Sequence, residues 1–141
     1  MAHTEKGPQI YTFDAGNQNQ VESIRQEIGY PEYPGAEIAK FSPLDGRILA
    51  VSDREGIHFV DIETKKETLY IARPKIIAFE WPPKGNYLIT CEKFNPDTED
   101  ATLILWNAKT GDRALAFEWR NSAKEGATSF KFDDDEKYCA R

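Results

Sequence analysis

Apolar and polar positions alternate in short runs along the chain, and residues that favour turns separate the runs. Ile77, Phe79 and Trp81 share one face of such a run, while Ile76, Ala78 and Glu80 share the other, which is the period of a strand. The next run is apolar on both faces, at 48–51 and again at 87–91, as expected of a strand covered from both sides. Turns bearing Pro and Gly fall at 42–46 and 82–85. A third run carries Val60-Asp61 in one place and Trp106-Asn107 in another. A polar turn follows, with Gly111 in the later copy, and then an outer run of mixed polarity at 67–71 and 113–117. The pattern predicts short antiparallel strands in groups of four.

These groups are copies of one unit. Ala39-Lys40-Phe41-Ser42-Pro43-Leu44-Asp45-Gly46 is read again from Ala78 to Gly85, and the two turn glycines are 39 residues apart. The run from His58 to Thr64 returns from Ile104 to Thr110 at an offset of 46, which also pairs Leu69 with Leu115 and Ile71 with Phe117. The growth in offset places an insertion around 93–100. A partial third copy runs from Ser129 to Ala140, with Glu136 in place of the turn glycine. Four strands in roughly 40–45 residues is the period of one propeller blade. The expected fold is therefore all-β, a WD40-like β-propeller of four-stranded antiparallel blades, with blades at 36–74 and 75–126 and an incomplete one at 127–141. Ring closure takes at least about four blades, so the unit count predicts a fragment of a longer ring. Ahead of the blades, 1–35 is an N-terminal strand and connection. Residues 9–13 read as a strand suited to ring closure and 14–17 as a turn. Val21, Ile24 and Ile28 have helical spacing, and 29–35 is rich in turn residues.

The run Phe79-Glu80-Trp81-Pro82-Pro83-Lys84-Gly85-Asn86-Tyr87-Leu88-Ile89-Thr90 resembles the "FSP-x-GNYL-x-TW" blade signature of the eukaryotic translation initiation factor 2A family. Leu105-Trp106-Asn107-Ala108-Lys109-Thr110-Gly111 is similar to that family's next strand and turn. The stretch from Phe132 to the closing Cys139-Ala140-Arg141 resembles its third-blade opening. Cys91 stands where the family often has Trp, Asn107 where WD repeats prefer Asp, and the usual Gly-His pair is absent. The propeller-bearing subunit of eukaryotic translation initiation factor 3 has a similar blade, but normally carries an RNA-recognition domain ahead of it. The resemblance implies a cytoplasmic factor acting at the small ribosomal subunit, with initiator methionyl-tRNA and other initiation factors as partners. It also implies a basic C-terminal region beyond the propeller. A protein-interaction scaffold with no RNA role is the alternative from another class.

Charge and chemistry narrow this picture. The net charge is −6, with an isoelectric point of about 5.0, the opposite sign from a general phosphate binder. Any RNA contact is then expected to be local, or to be made by parts of the protein beyond this stretch. The one notable basic cluster is Lys65, Lys66, Arg73 and Lys75. Trp119, ahead of Arg120 and Lys124, is the tryptophan most open to stacking on a base. Trp81 and Trp106 read as packing residues. No apolar run is as long as a membrane span, and the first residues lack a signal-peptide core. His3 and His58 are the only histidines, and no GxSxG, GxGxxG or Walker A pattern occurs. The acidic runs at 97–100 and 133–136 lack the spacing of a calcium loop. Cys91 and Cys139 read as free thiols. No catalytic residue, cofactor, metal ligand or small-molecule substrate is expected, and the chain reads as a binding scaffold rather than an enzyme.

Overall fold

The computed structural model describes residues 7–15, 21–93, 97, 101–117 and 131–140. Among them every regular element is a strand, and the strands form four antiparallel sheets. β1 (Tyr11–Ala15) and β2 (Val21–Gln26) make a hairpin. β3 (Ile38–Phe41), β4 (Ile48–Ser52), β5 (Gly56–Asp61) and β6 (Lys66–Ala72) form a four-stranded sheet in sequence order. β7 (Ile76–Glu80), β8 (Tyr87–Glu92), β9 (Leu103–Asn107) and β10 (Arg113–Phe117) repeat that order. β11 (Lys131–Phe132) and β12 (Cys139–Ala140) make a last, short hairpin.

The repeat read from the residues reappears in the backbone. Gly46 and Gly85 both take the left-handed conformation, with φ of 66° and 67°, and Glu136 does the same at 59° in the third copy. Asp61 and Asn107 each accept two turn N–H groups through Oδ1, from Glu63 and Thr64 and from Lys109 and Thr110. The tight turn then needs one left-handed residue, Lys65 at φ 58° in the first sheet and Gly111 at φ 76° in the second.

Burial follows the same register. Ala50, Ile57, Phe59 and Ile71 of the first sheet pack against Ile76, Phe79, Trp81, Leu88, Ile104 and Trp106 of the second, in one core. Specific contacts cross between the sheets around the end of β7. Trp81 Nε1 donates to the Lys40 carbonyl at 3.1 Å, Lys40 pairs with Glu80 at 2.8 Å, and Phe59 meets Trp81 edge to face at 5.8 Å. On the first sheet's other face Leu49, Val51 and Val60 are covered by Tyr33, with Ile10 and Tyr30 beside it. On the second sheet's other face Ile89 and Cys91 pack with Phe132 of β11. Among the described residues the sheets form an open stack and not a closed ring.

Three expectations change. Residues 21–26 are strand, not helix: three apolar residues do not decide a period, and pairing with β1 satisfies the backbone instead. Asp14 and Ala15 belong to β1 and not to a turn, and residues 16 and 17 lie outside the described set. Ile77 does not share the face of Phe79 and Trp81. A bulge between Ile76 and Ala78 turns Ile76 inward, 3% exposed, and leaves Ile77 44% exposed. The insertion around 93–100 does fall between β8 and β9, although most of it lies outside the described residues.

Candidate functional site

The residues proposed for RNA contact are not gathered in one place. Lys65 and Lys66 stand at the start of β6, and Arg73 and Lys75 follow its end. Seven strand residues at about 3.3 Å each separate the two pairs by roughly 20 Å. Lys66 and Lys75 are exposed. Lys65 turns back on the N-terminal segment, where its ammonium donates to the Ile28 carbonyl at 2.7 Å and lies 5.1 Å from the Tyr30 ring centre. Arg73 is structural: Nε donates to buried Glu92 at 2.6 Å and a terminal nitrogen to the Ala101 carbonyl at 3.1 Å. Trp119 lies outside the described residues. Trp81 and Trp106 are both 7% exposed, and Trp106 Nε1 donates to the Thr90 hydroxyl at 2.9 Å, so neither ring offers a stacking surface.

A denser polar constellation surrounds His58, which sits at the centre of the first sheet's outer half. The β5 register places it opposite Tyr70. Its ring lies between Tyr33 and Tyr70, tilted against the first and stacked on the second, with centroids 4.5 and 4.6 Å away. Nδ1 lies 2.9 Å from Glu67 and Nε2 2.9 Å from Asp53, and Tyr33 donates its hydroxyl to the same Glu67 oxygen at 2.8 Å. Each ring nitrogen therefore faces a carboxylate oxygen. Burial alone would raise the Asp53 carboxyl, but the Glu55 N–H, His58 and the Gly56 N–H outweigh it and hold the group below the usual carboxylate range. Burial first, and the Glu67 carboxylate second, push the Tyr33 phenol well above its ordinary value. The arrangement is a buckle that holds the 30–36 segment on the sheet.

The same segment frames a cavity of about 380 Å³ between residues 7–10 and 26–32. Lys65 reaches its lining at Glu27, Ile28 and Tyr30. Among the described residues no group of three or more His, Cys, Asp or Glu side chains is placed to hold a metal ion. No described helix is long and apolar enough to cross a membrane. Sequence reasoning noticed His58 but not its partners. The available signal was its equivalent in the second sheet, Ile104, which marks position 58 as a departure from the repeat.

The comparisons with known proteins match the fold. A crystal structure of a eukaryotic initiation factor superposes on 94% of this chain with a TM-score of 0.62 and 20% identity, and the chain spans 34% of that protein's length. A Kuenenia stuttgartiensis hydrazine synthase superposes on 77% with a TM-score of 0.53 and 23% identity, over 29% of its length. No family model and no curated protein matches the chain. At these identities the likeness is one of fold, and the two neighbours are very different proteins.

Proposed function

We propose that the two four-stranded sheets are successive blades of a WD-repeat-like propeller that serves as a rigid scaffold in translation initiation, at the small ribosomal subunit. The supporting observation is the stack of two equivalent sheets together with a fold neighbour that is a eukaryotic initiation factor, which agrees with the blade signature at 79–90. Delivery of initiator methionyl-tRNA, in the manner of the factor 2A family, is the finer form of this reading. The scaffold role is favoured over catalysis because His58, the one histidine among the described residues, is fully engaged by Asp53 and Glu67. A stiff stack presents its turns in fixed positions, and turns on rigid elements are where binding usually resides.

Co-sedimentation with purified small ribosomal subunits, at low and at physiological salt, tests the reading. The chain is expected to travel with the subunit, and Lys66→Glu or Lys75→Glu to weaken the complex at the higher salt. A chain that stays in the supernatant at both salts, while keeping its β-rich circular dichroism spectrum, points instead to a protein-interaction scaffold without a ribosomal role.

A further inference from the structure

Among the described residues three that are not glycine take the left-handed conformation: Lys65, Lys75 and Glu136. A side chain makes that conformation costly, so each position calls for a reason. Two have one in their contacts. The Lys65 ammonium bonds the Ile28 carbonyl, and Glu136 Oε1 accepts the Lys84 backbone N–H at 2.6 Å. Lys75, at φ 65°, is different, because its ammonium has no hydrogen-bond or ion-pair partner among the described residues. Its carbonyl accepts the Lys93 N–H at 3.0 Å, which carries the β7–β8 ladder one pair beyond Ile76 and Glu92. That bond accounts for the turn but not for the lysine, since glycine would make it without strain.

The extra pair also sets two lysines against each other. Lys75 and Lys93 are far apart in the sequence, both are exposed, and neither has an ion-pair partner among the described residues. Like charges facing each other across two strands are destabilising. Glu92, next to Lys93 in the chain, is taken up by Arg73 at 2.6 Å and is only 8% exposed. The bulge between Ile76 and Ala78 adds a third feature at the same strand end, an isoleucine at position 77 that is 44% exposed. Backbone strain, opposed like charges and an exposed apolar side chain each work against the fold. Strain that no structural contact explains is typical of ligand clamps.

We propose that Lys75 and Lys93 form a two-pronged clamp for the phosphodiester backbone of single-stranded RNA, with Ile77 against a sugar or base. A phosphate between the two ammoniums replaces their repulsion by a shared attraction. Each phosphodiester has two non-bridging oxygens, enough for one lysine apiece, and an ammonium on a flexible stem needs no fixed approach angle. Apolar sugar and base surface lies between successive phosphates, which suits an exposed isoleucine better than an acidic peptide does. Contacts of this kind position a strand and do not read its sequence. The inference deepens the translation reading, on which it rests for its biological partner but not for its chemistry.

The test is fluorescence anisotropy of a labelled single-stranded RNA titrated with the whole chain at salt concentrations from about 50 to 200 mM. Each phosphate contact adds about 0.7 to the slope of log K against log salt on a single strand. Lys75→Gln with Lys93→Gln should therefore remove about 1.4 from the slope, so that wild type loses about sevenfold more affinity than the double variant across that range. Lys109→Gln, at an exposed lysine on the opposite end of the second sheet, should leave the slope unchanged. Lys75→Gly keeps the turn, so its unfolding midpoint should match wild type while its slope falls by about 0.7. No anisotropy change at the lowest salt, equal slopes in wild type and the double variant, or displacement of the RNA by polyglutamate at equal charge would each overturn the clamp. Ribosomal co-sedimentation is a separate readout. A chain that stays in the supernatant but shows the lost slope overturns only the ribosomal reading, and one that travels with the subunit at unchanged slope overturns only the clamp.

Discussion

Position 58 of the first sheet and position 104 of the second are the same place in the repeat, but one holds histidine and the other isoleucine. The difference lies in what each face meets. Ile104 is fully buried against the first sheet, where only apolar side chains fit. His58 faces the N-terminal segment, which brings Tyr33 to it, and neighbouring turns and strands supply Asp53 and Glu67. The corner of the sheet differs in the same sense. Arg47 pairs with Asp61 at 2.8 Å and with Glu63 at 3.0 Å, while the equivalent positions in the second sheet, 86 and 107, are both asparagine. The backbone bond beneath is kept in each, from Ile62 N–H to the Arg47 carbonyl and from Ala108 N–H to that of Asn86. The repeat thus conserves backbone geometry, and each copy's neighbours decide whether its face is polar or apolar.

The largest expected difference between the sheets is at their third strands. Trp106 and Val60 are equivalent, and both are buried. Trp106→Ala should cost about 3–5 kcal/mol, because it empties an aromatic site in the shared core and removes the donor to Thr90. Val60→Ala should cost about 2 kcal/mol, for two lost methyl groups and a small cavity. Urea unfolding of both variants measures this. A loss below about 1 kcal/mol for Trp106→Ala would mean that the inter-sheet core is not what holds the two sheets together.

Arg73 separates a structural cation from surface ones. Its side chain is 16% exposed and that of Glu92 only 8%. Arg73→Ala should cost about 3 kcal/mol, as for other ion pairs broken in the interior, whereas Lys66→Ala and Lys75→Ala should stay within about 0.5 kcal/mol. If Arg73→Ala proves neutral in thermal unfolding, its contact with Glu92 does not join the sheets.

Much of the fold was legible because the repeat is written in turn residues and alternation. Gly46, Gly85 and Gly111 mark their turns directly, and the offsets of 39 and 46 survive as equivalent strands. Ile77 misled because a bulge breaks the parity that the alternation assumes. The 21–26 strand misled because its partner, β1, and not its own pattern, decides its conformation. The basic cluster was close in sequence but divided in space, since an extended strand carries its two ends far apart. The His58 buckle draws on residues 33, 53, 67 and 70, a grouping that only the sheet register brings together.

Acid should act on the two sheets differently. The Arg47 hydrogen bond first, and the Thr64 N–H next, hold the Asp61 carboxyl below its ordinary range, and Asp53 is lowered as well. A depressed carboxyl contributes stability that is complete above about pH 3.9 and is lost as pH falls through its folded value. Asn107, in the place of Asp61, has no such titration. Asp61→Asn should therefore lower stability at neutral pH and flatten the pH dependence below about pH 4. Unfolding curves that stay parallel to wild type across that range would show that Asp61 contributes nothing to acid lability.

The smallest expected effect concerns the two left-handed turn residues. Gly111 takes φ 76° without strain, and a Cβ there would meet Leu69 Cδ1 at 3.1 Å, a contact that a flexible side chain can relieve. Gly111→Ala should therefore cost about 1–2 kcal/mol, chiefly the left-handed conformation itself. Lys65 already bears that strain at φ 58°. Lys65→Gly relieves it but frees the unfolded chain by about 0.5–1 kcal/mol and removes the hydrogen bond to Ile28, another 0.5–1.5 kcal/mol or so. These terms offset one another, so Lys65→Gly should change overall stability by less than about 1 kcal/mol. Its effect should appear locally instead, because Lys65 ties residues 27–30 to the turn. Amide hydrogen exchange at Gly29 and Tyr30 should accelerate in Lys65→Gly and stay unchanged in Gly111→Ala. If exchange at 29–30 is the same in both variants, the hairpin base is held by Tyr30 and Tyr33 alone, and a lysine in this strained position is left without a structural reason.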